Sequence, residues 1–140
     1  MIPQVVAEDL KRDEGWVPHA YQDHLGYWTI GYGFLIDKRK GGRLPKHIGN
    51  QWLQWEIEQR WRELTDAEPW LDDQPEDVQR ALANMAYQLG VSGVLRFRKM
   101  LETLRAGDRE KAAEEALDSA WATQTPERAQ RVARLIRGRP

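Results

Sequence analysis

The sequence predicts an α+β protein of two lobes: a small amino-terminal α+β lobe with a β-hairpin, joined by a long helix to an all-helical carboxyl-terminal lobe. Three observations carry this reading. A stretch rich in aromatic and β-branched residues follows Gly15 and encloses the turn Asp23-His24-Leu25-Gly26. Apolar residues then recur at helical spacing over 46–66, and from Pro75 onward every segment has helical periodicity with its own start and stop signals. At 140 residues, with 41% hydrophobic and 31% charged, the chain is one ordinary domain able to bury a real core. The expected divisions are a first lobe over about 1–45, a connecting helix over about 46–66, and a helical lobe over about 67–140.

The first element is a short helix. Pro3 suits a first-turn position, Ile2, Val6 and Leu10 repeat at helical spacing, and Gly15 stops it with Glu14 at its carboxyl end. Residues 20–22 and 27–32 read as the hairpin strands, and 37–43 as a charged, glycine-containing loop. The long helix over 46–66 places Leu53, Ile57, Trp61 and Leu64 on one stripe. A helix after Pro75 groups Val78, Leu82, Met85 and Leu89 and ends at Gly90; the next carries Val94, Phe97, Leu101 and Leu104 and ends at Gly107. Asp108 can cap a fourth, with Ala113, Ala116, Leu117 and Ala120 inward, and Thr125-Pro126 opens a last one that buries Ala129, Val132, Ala133 and Ile136.

Composition removes several classes of function. A net charge of −1 leaves the whole molecule no magnet for nucleic acid or anionic membrane. Without cysteine there is no disulfide, thiolate zinc site or cysteine nucleophile. His19, His24 and His47 lack metal-ligand spacing, so neither a metal nor another cofactor is expected. No segment reads as a signal peptide or a bilayer span, so stable membrane insertion is not expected and synthesis in the cytoplasm is. Charge is uneven, however: from Trp121 onward five arginines (Arg128, Arg131, Arg134, Arg137, Arg139) face one acid, Glu127. A solvated helix with a favourable carboxyl-terminal dipole accounts for them most simply, and attraction to anionic wall polymers or outer-membrane lipid is the functional alternative.

Glu14 and Asp23 stand out by position. Glu14 lies at the negative end of a helix dipole, which disfavours its charged form, whereas Asp23 sits in a polar turn that suits a carboxylate. Two carboxyls in contrasting environments are what general acid/base hydrolysis of a glycoside needs. On spacing alone, among 22 acids, they read more simply as solvated surface groups. In Thr29-Ile30-Gly31-Tyr32-Gly33, strand alternation puts Thr29 on one face with both glycines, a polar handle beside open space, and Trp28, Ile30 and Tyr32 on the other, core-facing side. An ordinary strand with glycines at a bulge explains the pattern about equally well. Trp61 and Trp121 read as core; Trp52, Trp55 and Trp70 are left open.

The run Asp13-Glu14-Gly15, Ala20-Tyr21-Gln22-Asp23, Gly26 and Thr29-Ile30-Gly31-Tyr32-Gly33 resembles the signature of glycoside hydrolase family 24, the phage-type lysozymes. Asn84-Met85-Ala86-Tyr87-Gln88-Leu89-Gly90 and the segment from Trp121 to Ala129 resemble the family's helical lobe, so the likeness spans nearly the whole chain. It implies a lysozyme-like fold and a muramidase that cleaves the glycan strands of peptidoglycan. It assigns Glu14 as general acid, and Asp23 and Thr29 as holders of the attacking water, with inversion of configuration. Arg128 matches an arginine that pairs with the catalytic glutamate. Leu35, Tyr87 and Gln88 match positions that line the saccharide cleft, and two further contact positions fall on Met100 and Glu115 in place of the usual polar residues.

The resemblance further implies a monomeric endolysin that lyses the host, released from the cytoplasm to the wall with the help of a holin. A catalytically inactive peptidoglycan-binding module of the same fold is the alternative, disfavoured because a pure binder has no use for Glu14, Asp23 and Thr29 together. A nucleic-acid binder using the basic last helix is poorer still, given the acidic stretch over 102–118.

Overall fold

The computed structural model describes residues 4–36 and 42–139. Among these the chain is α+β, with one three-stranded antiparallel sheet near the amino terminus and seven α-helices. It divides into two compact units, Met1–Trp52 and Leu53–Pro140.

In the first unit, α1 (Val5–Glu14) ends at Gly15, whose N–H donates to the Lys11 carbonyl at 3.0 Å. Its apolar residues are left uncovered: Val5, Val6 and Leu10 are exposed, and the helix buries no side chain. Ile2 and Pro3 lie outside the described residues, as do 37–41 of the expected loop.

Strand β1 (Val17–Gln22) begins earlier than its alternation indicates, and β2 (Trp28–Gly31) is shorter. A third strand, β3 (Phe34–Leu35), was not anticipated, because two residues are too few to register a period. The register sets Tyr21 opposite Thr29 and Gln22 opposite Trp28, then Thr29 opposite Leu35 and Ile30 opposite Phe34. The tie between β1 and β2 closes on itself, with the Asp23 N–H donating to Tyr27 O and the Gly26 N–H to Asp23 O, both at 2.9 Å.

Burial here reverses the expected faces. Thr29 and Gly31 are buried, while Trp28, Ile30 and Tyr32 are only half-covered, so that side of the strand is not a core.

The hydrophobic core of the described residues belongs to the second unit, where every fully buried apolar side chain lies between Leu64 and Ile136. Helix α2 (Lys46–Ala67) enters that core only at its end: Leu64 is buried, Ile57 and Trp61 are half-buried, and Leu53 is exposed. A 3-10 turn, Pro69–Asp73, buries Leu71, and its Asp72 accepts the Trp61 Nε1–H at 3.0 Å. Helix α3 (Glu76–Leu95) buries Val78, Leu82 and Met85 as the periodicity requires. Gly90 breaks it without ending it.

The expected helix through Val94, Phe97, Leu101 and Leu104 is in fact two segments. Val94 closes α3, and Phe97 leaves helical geometry before α4 (Arg98–Arg105), yet all four residues still pack in or against the core. Asp108 caps α5 (Arg109–Leu117), accepting from the Lys111 N–H at 3.1 Å, and Ala112, Ala113 and Ala116 are buried. Ala120 is exposed instead of inward, because Ser119 caps a separate short helix, α6 (Ala120–Gln124).

Helix α7 (Pro126–Arg137) buries Ala129, Val132, Ala133 and Ile136. Thr125 precedes it without capping it, since its hydroxyl donates to Trp121 O at 3.1 Å. Trp121 is core, and Trp70 packs against the core; Trp52 and Trp55 are exposed.

Candidate active site

The chemistry of the first unit gathers around two backbone features. One is the peptide of Tyr27. Its N–H donates to Asp23 Oδ1 at 2.9 Å, and its carbonyl accepts the Thr29 hydroxyl at 3.3 Å. Asp23 Oδ1 also accepts the Leu25 N–H at 2.9 Å. One residue between the two side chains thus fixes both. The N–H of Tyr27 is the main reason that the Asp23 carboxyl is held below its ordinary 3.8, with Leu25, the charge of His24 and Gly26 adding to it against desolvation. Asp23 is therefore built to be a carboxylate. Thr29 is 5% exposed, and its hydroxyl hydrogen is committed to Tyr27, which leaves the oxygen's lone pairs as acceptors.

The second feature is the pair of glycines after Thr29, which do not face open space. Both have φ of +70°, and each is occupied from above by a specific side chain. A Cβ on Gly33 would lie 2.7 Å from Oε2 of Glu14, and one on Gly31 would lie 2.8 Å from the ring of Phe34. Gly33 falls in the turn after β2, so strand alternation does not govern it; it serves as the floor on which the Glu14 carboxyl rests. Glu14 itself is the last residue of α1 and is exposed. Leu35, paired with Thr29 across β2 and β3, is also exposed.

In the second unit, Tyr87 and Arg128 line one concavity of about 370 Å³ with Leu53, Ile57, Arg80 and Asn84. Arg128 is held there by Asn84, donating from Nε to Oδ1 at 2.9 Å and from an Nη to the carbonyl at 3.4 Å. The guanidinium of Arg60 lies 5.2 Å above the Tyr87 ring. Gln88 does not share this surface, since its Oε1 accepts the Trp121 Nε1–H at 2.9 Å and so braces the core. Met100 is 1% exposed and Glu115 faces Lys111 at 3.6 Å; both line a separate hollow of about 590 Å³ with Phe97 and Trp121.

Sequence reasoning missed the roles of Tyr27, Gly33 and Asn84. Gly33 and Asn84 each left a trace, since both stand in the runs that carry the family resemblance, but neither run states what the residue holds.

The model of the phage lysozyme family matches residues 11–139. The chain is 35% identical to the pre-baseplate central spike protein Gp5 of Enterobacteria phage T4, over 94% of its own length and 27% of that protein. It is 30% identical to the probable T4-type lysozyme 2 of Dictyostelium discoideum, over 88% of each chain. It is 33% identical to the peptidoglycan hydrolase gp36 of Pseudomonas phage phiKMV, over 88% of its own length and 14% of that protein. Together these matches define the class: the domain is an enzyme of the lysozyme type. Within that class the chain belongs to the phage lysozyme family. It spans about a quarter of the spike protein but most of the amoebal lysozyme.

Proposed function

We propose that this domain hydrolyses the β-1,4 bonds between N-acetylmuramic acid and N-acetylglucosamine in peptidoglycan, by an inverting acid/base mechanism. The observation that carries the reading is the contrast between the acids: Asp23 is locked as a carboxylate by backbone N–H groups, whereas Glu14 stands at a helix carboxyl terminus on a glycine floor. Glu14 donates its proton to the glycosidic oxygen as the bond to the anomeric carbon breaks. A water, donating one hydrogen bond to Thr29 Oγ1, gives its other proton to Asp23 and adds to that carbon from the opposite face. Glu14 ends as carboxylate and Asp23 as acid, and exchange with solvent resets both. Tyr87 and Arg128 offer a saccharide-binding surface on the second unit, and Leu35 one beside Thr29. Asn84 orients the Arg128 guanidinium on that surface, whereas Gln88, whose Oε1 accepts from Trp121, would contribute through its remaining amide donors alone.

Replacing Glu14 with Gln keeps size and hydrogen bonding but removes the transferable proton. Activity on purified peptidoglycan is expected to fall at least ~10²-fold with the fold intact. Wild-type turnover by Glu14→Gln would leave the inactive binding module, or another mechanism, in its place. Fresh products should carry the α-anomer by NMR; the β-anomer appearing first would make Asp23 a nucleophile.

We infer an endolysin role as a monomer, made in the cytoplasm and reaching the wall through a holin-type pore. The likeness to a segment of the much longer T4 spike protein favours a second reading, a wall-opening domain of a phage particle. Expression in bacteria with and without a pore-forming protein separates the two: pore-dependent lysis supports the endolysin, and no lysis in either case favours the particle.

A further inference from the structure

Next along the chain from Glu14 and from Gly33 stand rings that the hydrolytic mechanism does not use. Trp16 follows Glu14 by one glycine, and Phe34 follows Gly33, the floor of the Glu14 carboxyl. Tyr32 joins them, its ring centroid 5.0 Å from that of Trp16 at a 55° tilt and 6.1 Å from that of Phe34, edge-on. Trp16 and Phe34 are nevertheless 60% and 58% exposed.

The arrangement is built rather than accidental. A Cβ on Gly31 would stand 2.8 Å from Phe34 Cδ2 and 3.4 Å from Trp16 Cζ3, so the chain gives up a side chain where these two rings converge. Aromatic rings held in place yet open to water contribute little to a core, since most of their apolar area stays hydrated. They suit a ligand that is apolar on one face and polar at its edges. A pyranose is such a ligand, with C–H bonds to lay on the rings and hydroxyls left for water. The contiguity with Glu14 through Gly33 favours this occupant over a protein partner.

We propose that Trp16 and Phe34 form a stacking subsite for a sugar ring of the glycan strand, next to the residue that protonates the scissile bond. This rests on the glycan hydrolysis proposed above. Both rings would act in binding and not in the chemical step, so each Ala variant should raise KM for glycan strands about 2- to 10-fold and leave kcat within about twofold. Trp16→Phe should recover most of the loss.

Binding is tested apart from turnover by calorimetric titration of peptide-free glycan strands into Glu14→Gln protein, with and without Trp16→Ala and Phe34→Leu. Leu keeps apolar bulk over Gly31 but cannot stack as a ring. Weaker binding by Phe34→Leu and Trp16→Ala at unchanged Tm supports the subsite. Binding equal to that of the parent, or a fall in kcat without a change in KM, overturns it. If the wild type cleaves no peptidoglycan, the hydrolytic reading fails, while the titration still decides whether the rings hold glycan.

Discussion

At the residue scale, the most informative position is one with no side chain. Gly33 combines a φ of +70° with a Glu14 carboxyl where its Cβ would be. Gly33→Ala should cost about 1–2 kcal/mol in backbone strain and also push the carboxyl off its seat, lowering kcat at least ~10-fold. Gly15→Ala provides the comparison, because Gly15 also has positive φ but nothing within 4 Å of its would-be Cβ. Kinetics and thermal melts on both variants separate strain from displacement: if Gly15→Ala is the worse enzyme at equal stability loss, the Gly33 floor has no role.

Asp23 makes a second prediction. Its folded pKa lies below the ordinary 3.8, so it remains a base above that pH and is lost only as pH falls through the lowered value. An acid limb of kcat/KM assignable to Asp23 should therefore lie below pH 3.8, and a limb near 5 would belong to another group.

At the scale of elements, α3, α5 and α7 are clipped by one side chain. Arg109, at the start of α5, pairs with Asp77 Oδ2 in the first turn of α3 at 2.7 Å. It also donates from Nε to Ile136 O at 2.7 Å and from an Nη to Leu135 O at 3.2 Å, filling carbonyls at the end of α7. Removing it with Arg109→Ala should destabilise the protein by about 1–3 kcal/mol in urea melts, as expected for hydrogen bonds to a charged group.

The sign of the pH dependence follows from Asp77. The hydrogen bond from Arg109, then its charge and the Val78 N–H, hold the Asp77 carboxyl below its ordinary 3.8 despite desolvation. The stability from this pair is present above pH 3.8 and drains as pH falls through the lowered value. The gap between wild type and Asp77→Asn should thus narrow on acidification. A gap that stays constant from pH 6 to pH 2 would mean that Asp77 acts by packing alone.

For the whole molecule, the question is how a chain of net charge −1 would approach an anionic wall. The basic last helix offers fewer free cations than helical spacing indicates. Arg137 is tied to Glu110 at 3.0 Å, Arg139 approaches the same carboxylate at 3.8 Å, and Arg128 is bound to Asn84. Arg131 and Arg134 are exposed. Neutralising Arg131 and Arg134 together should weaken wall binding most at low salt and leave turnover of a short soluble oligosaccharide unchanged. Arg128→Ala should lower turnover of both substrates. The measurement is parallel kinetics on whole walls and on oligomers across a salt series. Identical salt dependence for wild type and the double variant would leave both arginines as solubilising surface.

The features legible along the chain are local ones. Apolar spacing with glycine and proline punctuation placed α3, α5 and α7, Asp108 announced its own cap, and the turn at Asp23 was readable because its bonds close within four residues. Such features depend on neighbours along the chain, and a short motif states them completely. The family was legible for the same reason, since its signature lies in a few contiguous runs. The remaining features arise only from packing between distant segments. Phe97 interrupts an unbroken apolar period, and Thr29 is buried while Trp28 is half-exposed. Gly33 carries Glu14 from 19 positions away, Asn84 holds Arg128 across 44, and Arg109 seals α7 across 27. No local pattern encodes these contacts, because each forms only when separate elements pack and must satisfy one another's polar groups.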